Sequence, residues 1–175
     1  MSKLNLKSIK TIKELVSTAQ RDLEGKTLEE IMSSIVDSDE DSPVLTKAGV
    51  GYVIEDGYFG IPKNSTAGAD IEHLGVELKT SPLKLLKNGR LTVKEPLSLN
   101  IINYSEEHNN KHIRESSLYK KNKKILFVWY IHDMNKEVPR SKYIIKLLPT
   151  SLVAYLHFSV QVAFLVIDLP SLVEK

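Results

Sequence analysis

The sequence predicts one α+β (or α/β) domain, a mixed sheet flanked by helices, and three observations predict it. Apolar residues recur at helical spacing through the first third of the chain. Beyond Asp70 the period falls to two, in segments rich in β-branched and aromatic residues. The 175 residues, 42% hydrophobic and 26% charged, have the balance of a globular domain that buries a core without cross-links.

Ile9, Ile12, Leu15, Val16, Ala19 and Leu23 form the apolar stripe of a first helix, and Gly25 is placed to stop it. Thr27 followed by Glu30 has the form of a capping box, opening a second helix through about Val36. The polar stretch from Asp37 to Pro43 is a loop. Val50, Val53, Ile54 and Tyr58 mark a third short helix ending near Gly60, and residues 61–69 are small, polar and turn-rich. In Leu74–Thr80, apolar Val76 and Leu78 alternate with Glu77 and Lys79, the signature of a half-buried strand. Segment 82–95, with Asn88-Gly89, is a hairpin connection or a mobile loop. Segments 96–104, 124–132 and 143–148 are further strands, and Trp129 and Tyr130 are expected in the core rather than on a base-stacking platform. This divides the chain into a helical part (1–44), a core (45–148) and an atypical apolar end (149–175).

Twenty-four Lys and Arg against 22 Asp and Glu give a formal net charge of +2, which excludes a wholesale polycation. The absence of cysteine excludes disulfides, thiolate metal sites and cysteine nucleophiles. The first ten residues lack the apolar core of a signal peptide, so a cytoplasmic location is expected. The charge is unevenly spread. Six acids and no base lie between Glu29 and Asp41, five bases and no acid from Lys79 to Lys94, and six bases with one acid from Lys111 to Lys124. Solvated faces are the ordinary reading of such runs; a polyanion meeting a bound metal is the functional one.

Chemistry concentrates at Asp70 and Glu77-Leu78-Lys79. Alternation puts Glu77 and Lys79 on one face of a strand, with Asp70 able to bend back across the turn containing Gly75. Two carboxylates held this way make a hard, oxygen-only site suited to Mg²⁺. A metal there would polarise a phosphodiester and orient a nucleophilic water. Lys79 would position that water or stabilise charge growing on the phosphorus oxygens. Alone, the pattern is one that any amphipathic strand produces, with a surface ion pair as its usual outcome.

Its surroundings are more specific. KAGVGYVIEDGYFG (47–60), ADIEHLGVELKTSP (69–82), LKLLKNGRLTVKEPLSLNIINY (83–104) and SSLYKKNKKILFVWY (116–130) together resemble the MutH-like endonucleases. That family comprises the mismatch-repair nicking enzyme and Sau-type GATC restriction enzymes within the PD-(D/E)-x-K superfamily, and the resemblance is closest to the restriction branch. It implies a restriction-endonuclease-like fold, double-stranded DNA as partner and Mg²⁺ as cofactor. It implies Asp70 and Glu77 as metal ligands, Lys79 as catalytic lysine and Glu55 as the helix-borne carboxylate completing the site. Lys121 matches the additional active-site lysine, in a register that Lys120, Lys123 and Lys124 leave open by a residue or two. DNA contacts are expected from Lys47, Lys84, Lys87, Arg90, Lys120, Lys123 and Lys124. The function expected is sequence-specific hydrolysis of DNA at GATC; the alternative is a catalytically silent or truncated DNA-binding remnant. Removing either metal-site carboxylate, taken as exposed, is expected to relieve repulsion and leave stability unchanged or slightly higher.

Other residues carry less. His73 is expected to be a solvated loop residue, and Ser116-Ser117 lacks histidine and acid partners for a triad. The run 151–169 is nearly long enough to span a bilayer but carries Ser151, His157, Ser159, Gln161 and Asp168, so a buried strand or helix is preferred and no membrane partner is expected. Here the chain departs from the family, whose DNA-reading elements have no counterpart in 149–175. A truncated or frame-shifted product is one open reading, and the chain alone is expected to bind DNA weakly, with little GATC preference, and to cut poorly or not at all.

Overall fold

The computed structural model describes residues 3–35, 47–62, 68–96, 99, 104–133 and 137–146. The first helix, α1 (Ile12–Leu23), begins where Thr11 accepts the Glu14 amide at 3.1 Å and buries Leu15, Ala19 and Leu23. Gly25, at φ +76°, turns the chain away, as only glycine does without strain. The capping box that opens α2 (Leu28–Ile35) closes in both directions. The Thr27 amide donates to Glu30 Oε2 at 2.7 Å, and the Glu30 amide donates to Thr27 Oγ1 at 3.2 Å. The third helix begins earlier than its apolar spacing predicts: α3 (Lys47–Tyr52) runs into a widened π-type turn over Val53–Tyr58, where Phe59 N bonds Ile54 O at 3.0 Å. Such turns store an extra residue within a helix and recur at functional sites.

The sheet is mixed, in the order β2-β1-β3-β4. Its strands are β1 (Glu77–Leu85), β2 (Leu91–Val93), β3 (Ile125–Ile131) and β4 (Ile144–Lys146). β1 and β3 are parallel, with Glu77 opposite Ile125 and Leu83 opposite Ile131, and the two outer pairs are antiparallel. With its helices this is an α+β fold of the restriction-endonuclease-like kind. Two short helices, α4 (Tyr104–Glu107) and α5 (Ser117–Asn122), precede β3.

Two boundaries differ from expectation. β1 starts three residues late, because Glu72–Leu74 form a single tight turn, and it continues five residues past Thr80. Pro82 does not end it: Pro82 stays opposite Tyr130 in the β1–β3 ladder, and on the β2 side its carbonyl still accepts from Lys94 N at 3.0 Å. The connection expected over 82–95 thus shrinks to a turn at 86–90, with Gly89 at φ +79°. The strand expected over 96–104 and the apolar run 151–169 lie outside the described residues, apart from Pro96, Leu99 and Tyr104, the last opening α4. Among the described residues no helix is long and apolar enough to cross a membrane.

β3 is buried on both faces, which is why it reads as an unbroken apolar run. Leu126, Val128 and Tyr130 join Leu78, Ile145 and the helices in the main core, while Ile125, Phe127 and Trp129 pack with Leu83 on the opposite face. Phe127 and Trp129 stack with ring centres 5.1 Å apart. Alternation sets Glu77 and Lys79 on that second face, at the end of β1 that β2 does not reach.

Candidate active site

The loop between Asp70 and Glu77 is a closed staple. Ile71 and Val76 exchange backbone hydrogen bonds of 2.9 and 3.2 Å, and Gly75 closes the turn at φ +62°. Asp70 is thereby laid against the head of β1. Its Oδ2 accepts the Leu78 amide at 3.0 Å, and its own amide donates to Glu77 Oε2 at 3.3 Å. His73 does not face this site: its Nε2 lies 3.0 Å from the Ile9 carbonyl, tying the staple to the N-terminal segment.

Glu77 is 1% exposed, and this corrects the expectation of a solvated carboxylate. β3 flanks it on one side, with Ile125 opposite, and Asp70, Lys79 and Lys121 close around its carboxylate. The charge is tolerated because Lys79 Nζ donates to Oε1 at 2.6 Å and Lys121 Nζ lies 3.8 Å from the same oxygen. Burial still pushes the Glu77 carboxyl above its usual range, with Lys79 opposing and Asp70 reinforcing the shift.

Glu55 arrives from the π-type turn. Tyr58, in the same turn, donates to Asp22 Oδ2 on α1 at 2.9 Å and anchors it to the helical layer. The Thr80 hydroxyl donates to Glu55 Oε1 at 3.4 Å. Burial, and then repulsion from Asp70, raise the Glu55 carboxyl. A carboxyl raised in the folded state costs stability progressively as pH climbs from the unfolded value through the folded one, and the full cost is present above both. Glu55→Gln keeps the acceptor for Thr80 and removes that cost. It is expected to melt higher than the parent at pH 7, by up to about 1 kcal/mol, and to match it near pH 4. Thermal unfolding at the two pH values checks this; a variant less stable at pH 7 would show that Glu55 is not in a repulsive cluster.

The structure thus brings together Glu55, Asp70, Glu77, Lys79 and Lys121. Of the lysines between which the register was open, Lys121 approaches Glu77, whereas Lys120 and Lys123 are exposed and Lys124 is half-buried. Lys84 is half-buried on β1, and Lys87 and Arg90 are exposed at the hairpin tip beside exposed Leu85 and Leu86. Lys47 is the first residue of α3, and its side chain lies outside the described residues. Sequence reading passed over Thr80 as a contributor to the site; a hydroxyl next to the Glu-x-Lys motif was the available signal.

No group of three or more His, Asp or Glu side chains forms a ready-made metal cage among the described residues. The donor set nevertheless fits a hard cation of the Mg²⁺ type, which takes one or two carboxylates and keeps several waters. Asp70 and Glu77 are linked through the Asp70 amide, and the negative potential of both raises Glu55.

The sequence pattern of the family described as DNA mismatch repair enzyme MutH matches residues 59–154, a stretch holding Asp70, Glu77, Lys79 and Lys121 but not Glu55. The Type II restriction enzyme Sau3AI of Staphylococcus aureus is 36% identical over 134 residues, covering 77% of this chain and 25% of that enzyme. The chain spans about a quarter of the length of this curated relative. By sequence match, the chain belongs to the MutH family.

Proposed function

We propose that this chain carries the catalytic centre of a Mg²⁺-dependent endonuclease that hydrolyses double-stranded DNA at or near GATC. The observation that carries the reading is the convergence of Asp70, Glu77, Lys79 and Lys121 at the head of β1, which β2 does not reach. Asp70 and Glu77 would hold the metal, with Glu55 closing the site. When bound, the cation would supply charge to polarise the scissile phosphate and lower the pKa of a water. Lys79, 2.6 Å from Glu77 Oε1, would hold the attacking water or neutralise charge on the phosphate oxygens. Lys121, 3.8 Å from the same Glu77 oxygen, would add a second positive charge beside it. The hairpin tip with Lys87 and Arg90, together with Lys47, Lys84, Lys120, Lys123 and Lys124, would contact the backbone of the duplex.

Incubating the purified chain with GATC-containing plasmid tests the reading. Cleavage with Mg²⁺ and none with EDTA is expected. Binding without cleavage in Mg²⁺ would favour a silent DNA-binding remnant. Specificity is a separate measurement, by competition between GATC and scrambled duplexes at one salt concentration; a preference above about a thousandfold marks a specific binder.

DNA binding should weaken steeply with salt, because each phosphate contact releases counterions. Neutralising Lys120, Lys123 and Lys124 together, with Lys121 left in place, should flatten the slope of log K against log salt by up to about one unit per lysine in contact. An unchanged slope would mean that this stretch faces away from DNA.

A further inference from the structure

α5 is six residues long, too short to hold itself together, yet it carries Lys121 toward the carboxylates. What holds it is a carboxylate ten residues upstream. Glu107, the last residue of α4, accepts the Ser117 amide at 2.7 Å and the Ser117 hydroxyl on one oxygen, and the Asn110 side-chain amide on the other. Ser116 adds a local cap, accepting the Tyr119 amide at 3.0 Å. At the other end of α5, fully buried Asn122 donates to the Leu118 carbonyl at 2.9 Å. Ser117 and Lys121 are four apart, so they stack on one face of the helix, and the clamp sits one turn behind the lysine. Its three hydrogen bonds, with help from the Lys120 charge, hold the Glu107 carboxyl below its usual range and keep it an acceptor.

We infer that Glu107 is a positioning residue of the active site: it fixes the first turn of α5 so that Lys121 reaches Glu77. It touches neither the carboxylates nor any reacting atom, and its effect passes through the backbone of α5. This rests on the reading of Lys121 as an active-site lysine, but the geometry can be tested without cleavage.

The test is the ¹⁵N resonance of the Lys121 ammonium group in the DNA-free chain, with and without Glu77→Gln. In the parent, the resonance should move when Glu77 loses its charge. In Glu107→Ala it should sit at the position of a solvated lysine and no longer respond to Glu77→Gln. Glu107→Gln, which keeps an acceptor for the Ser117 amide, should restore the response, as a role through charge alone would not allow. If Glu107→Ala fails to fold, Ser117→Ala, which removes one of the three bonds, should shift the resonance part of the way. In cleavage, Glu107→Ala should lower kcat about tenfold or more with KM for DNA within about twofold, and should cost nothing further in a Lys121→Ala background. A Lys121 resonance unchanged in Glu107→Ala would overturn the inference whether or not the chain cuts DNA. A parent that does not cut, with the resonance behaving as described, would instead count against the nuclease reading and leave the positioning role standing.

Discussion

Asp70→Asn is expected to abolish DNA cleavage, by about a thousandfold or more, in a protein that melts at or above the temperature of the parent. The two halves have separate causes. The Asp70 side chain accepts the Leu78 amide at 3.0 Å, and an asparagine oxygen can do the same, so the staple between Ile71 and Val76 survives. Removing the charge also relieves Glu55, which Asp70 repels. What is lost is one of the two carboxylates proposed to hold the cation, and a single neutral amide does not replace it. Single-turnover cleavage of a GATC plasmid in Mg²⁺, beside a thermal melt, measures both. An Asp70→Asn protein that cuts at the parental rate would remove Asp70 from the site.

Glu77→Ala should behave differently, with a loss of stability of about 3 kcal/mol, because truncating one member of a buried charge pair strands its partners. Lys79 and Lys121 retain 20% and 17% exposure, which places the cost at the low end of the range for buried pairs. The Asp70 amide loses its acceptor as well. For a chain of this length that is roughly a 10 °C fall in melting temperature. Glu77→Gln, which keeps the shape and one acceptor, should fall less. If Glu77→Ala melted within a degree of the parent, the buried pairing around Glu77 would be wrong, and the solvated carboxylate first expected from the sequence would be right.

The contrast between these two carboxylates marks where sequence reading reached its end. Both sit in one motif and have the same chemistry. Their spacing places them together but says nothing of how deeply each is covered. Asp70 lies on a loop and stays half-exposed; Glu77 is the first residue of a strand with a parallel neighbour beside it and the second apolar cluster on its own face. The end of β1 was misjudged for a related reason. Segment 82–95 read as a connection, yet Pro82 keeps its place opposite Tyr130 in the β1–β3 ladder while its carbonyl accepts from Lys94 on the β2 side.

Local rules determined much of this protein from the sequence alone. The Thr11 cap, the Thr27–Glu30 box, the stop at Gly25 and the unbroken apolar run of β3 each depend on residues within a few positions of one another, and each forms as those positions require. So does the face shared by Glu77 and Lys79, since alternation along a strand needs no distant partner. Tertiary structure alone decided the rest: that Glu77 is buried, that Lys121 among its neighbouring lysines approaches it, that Thr80 meets Glu55 across 25 residues, and that Glu107 reaches over ten residues to clamp α5. These contacts join side chains whose separation along the chain carries no period. They exist because packing β1 against β3 closes the loops that bring them within hydrogen-bond reach.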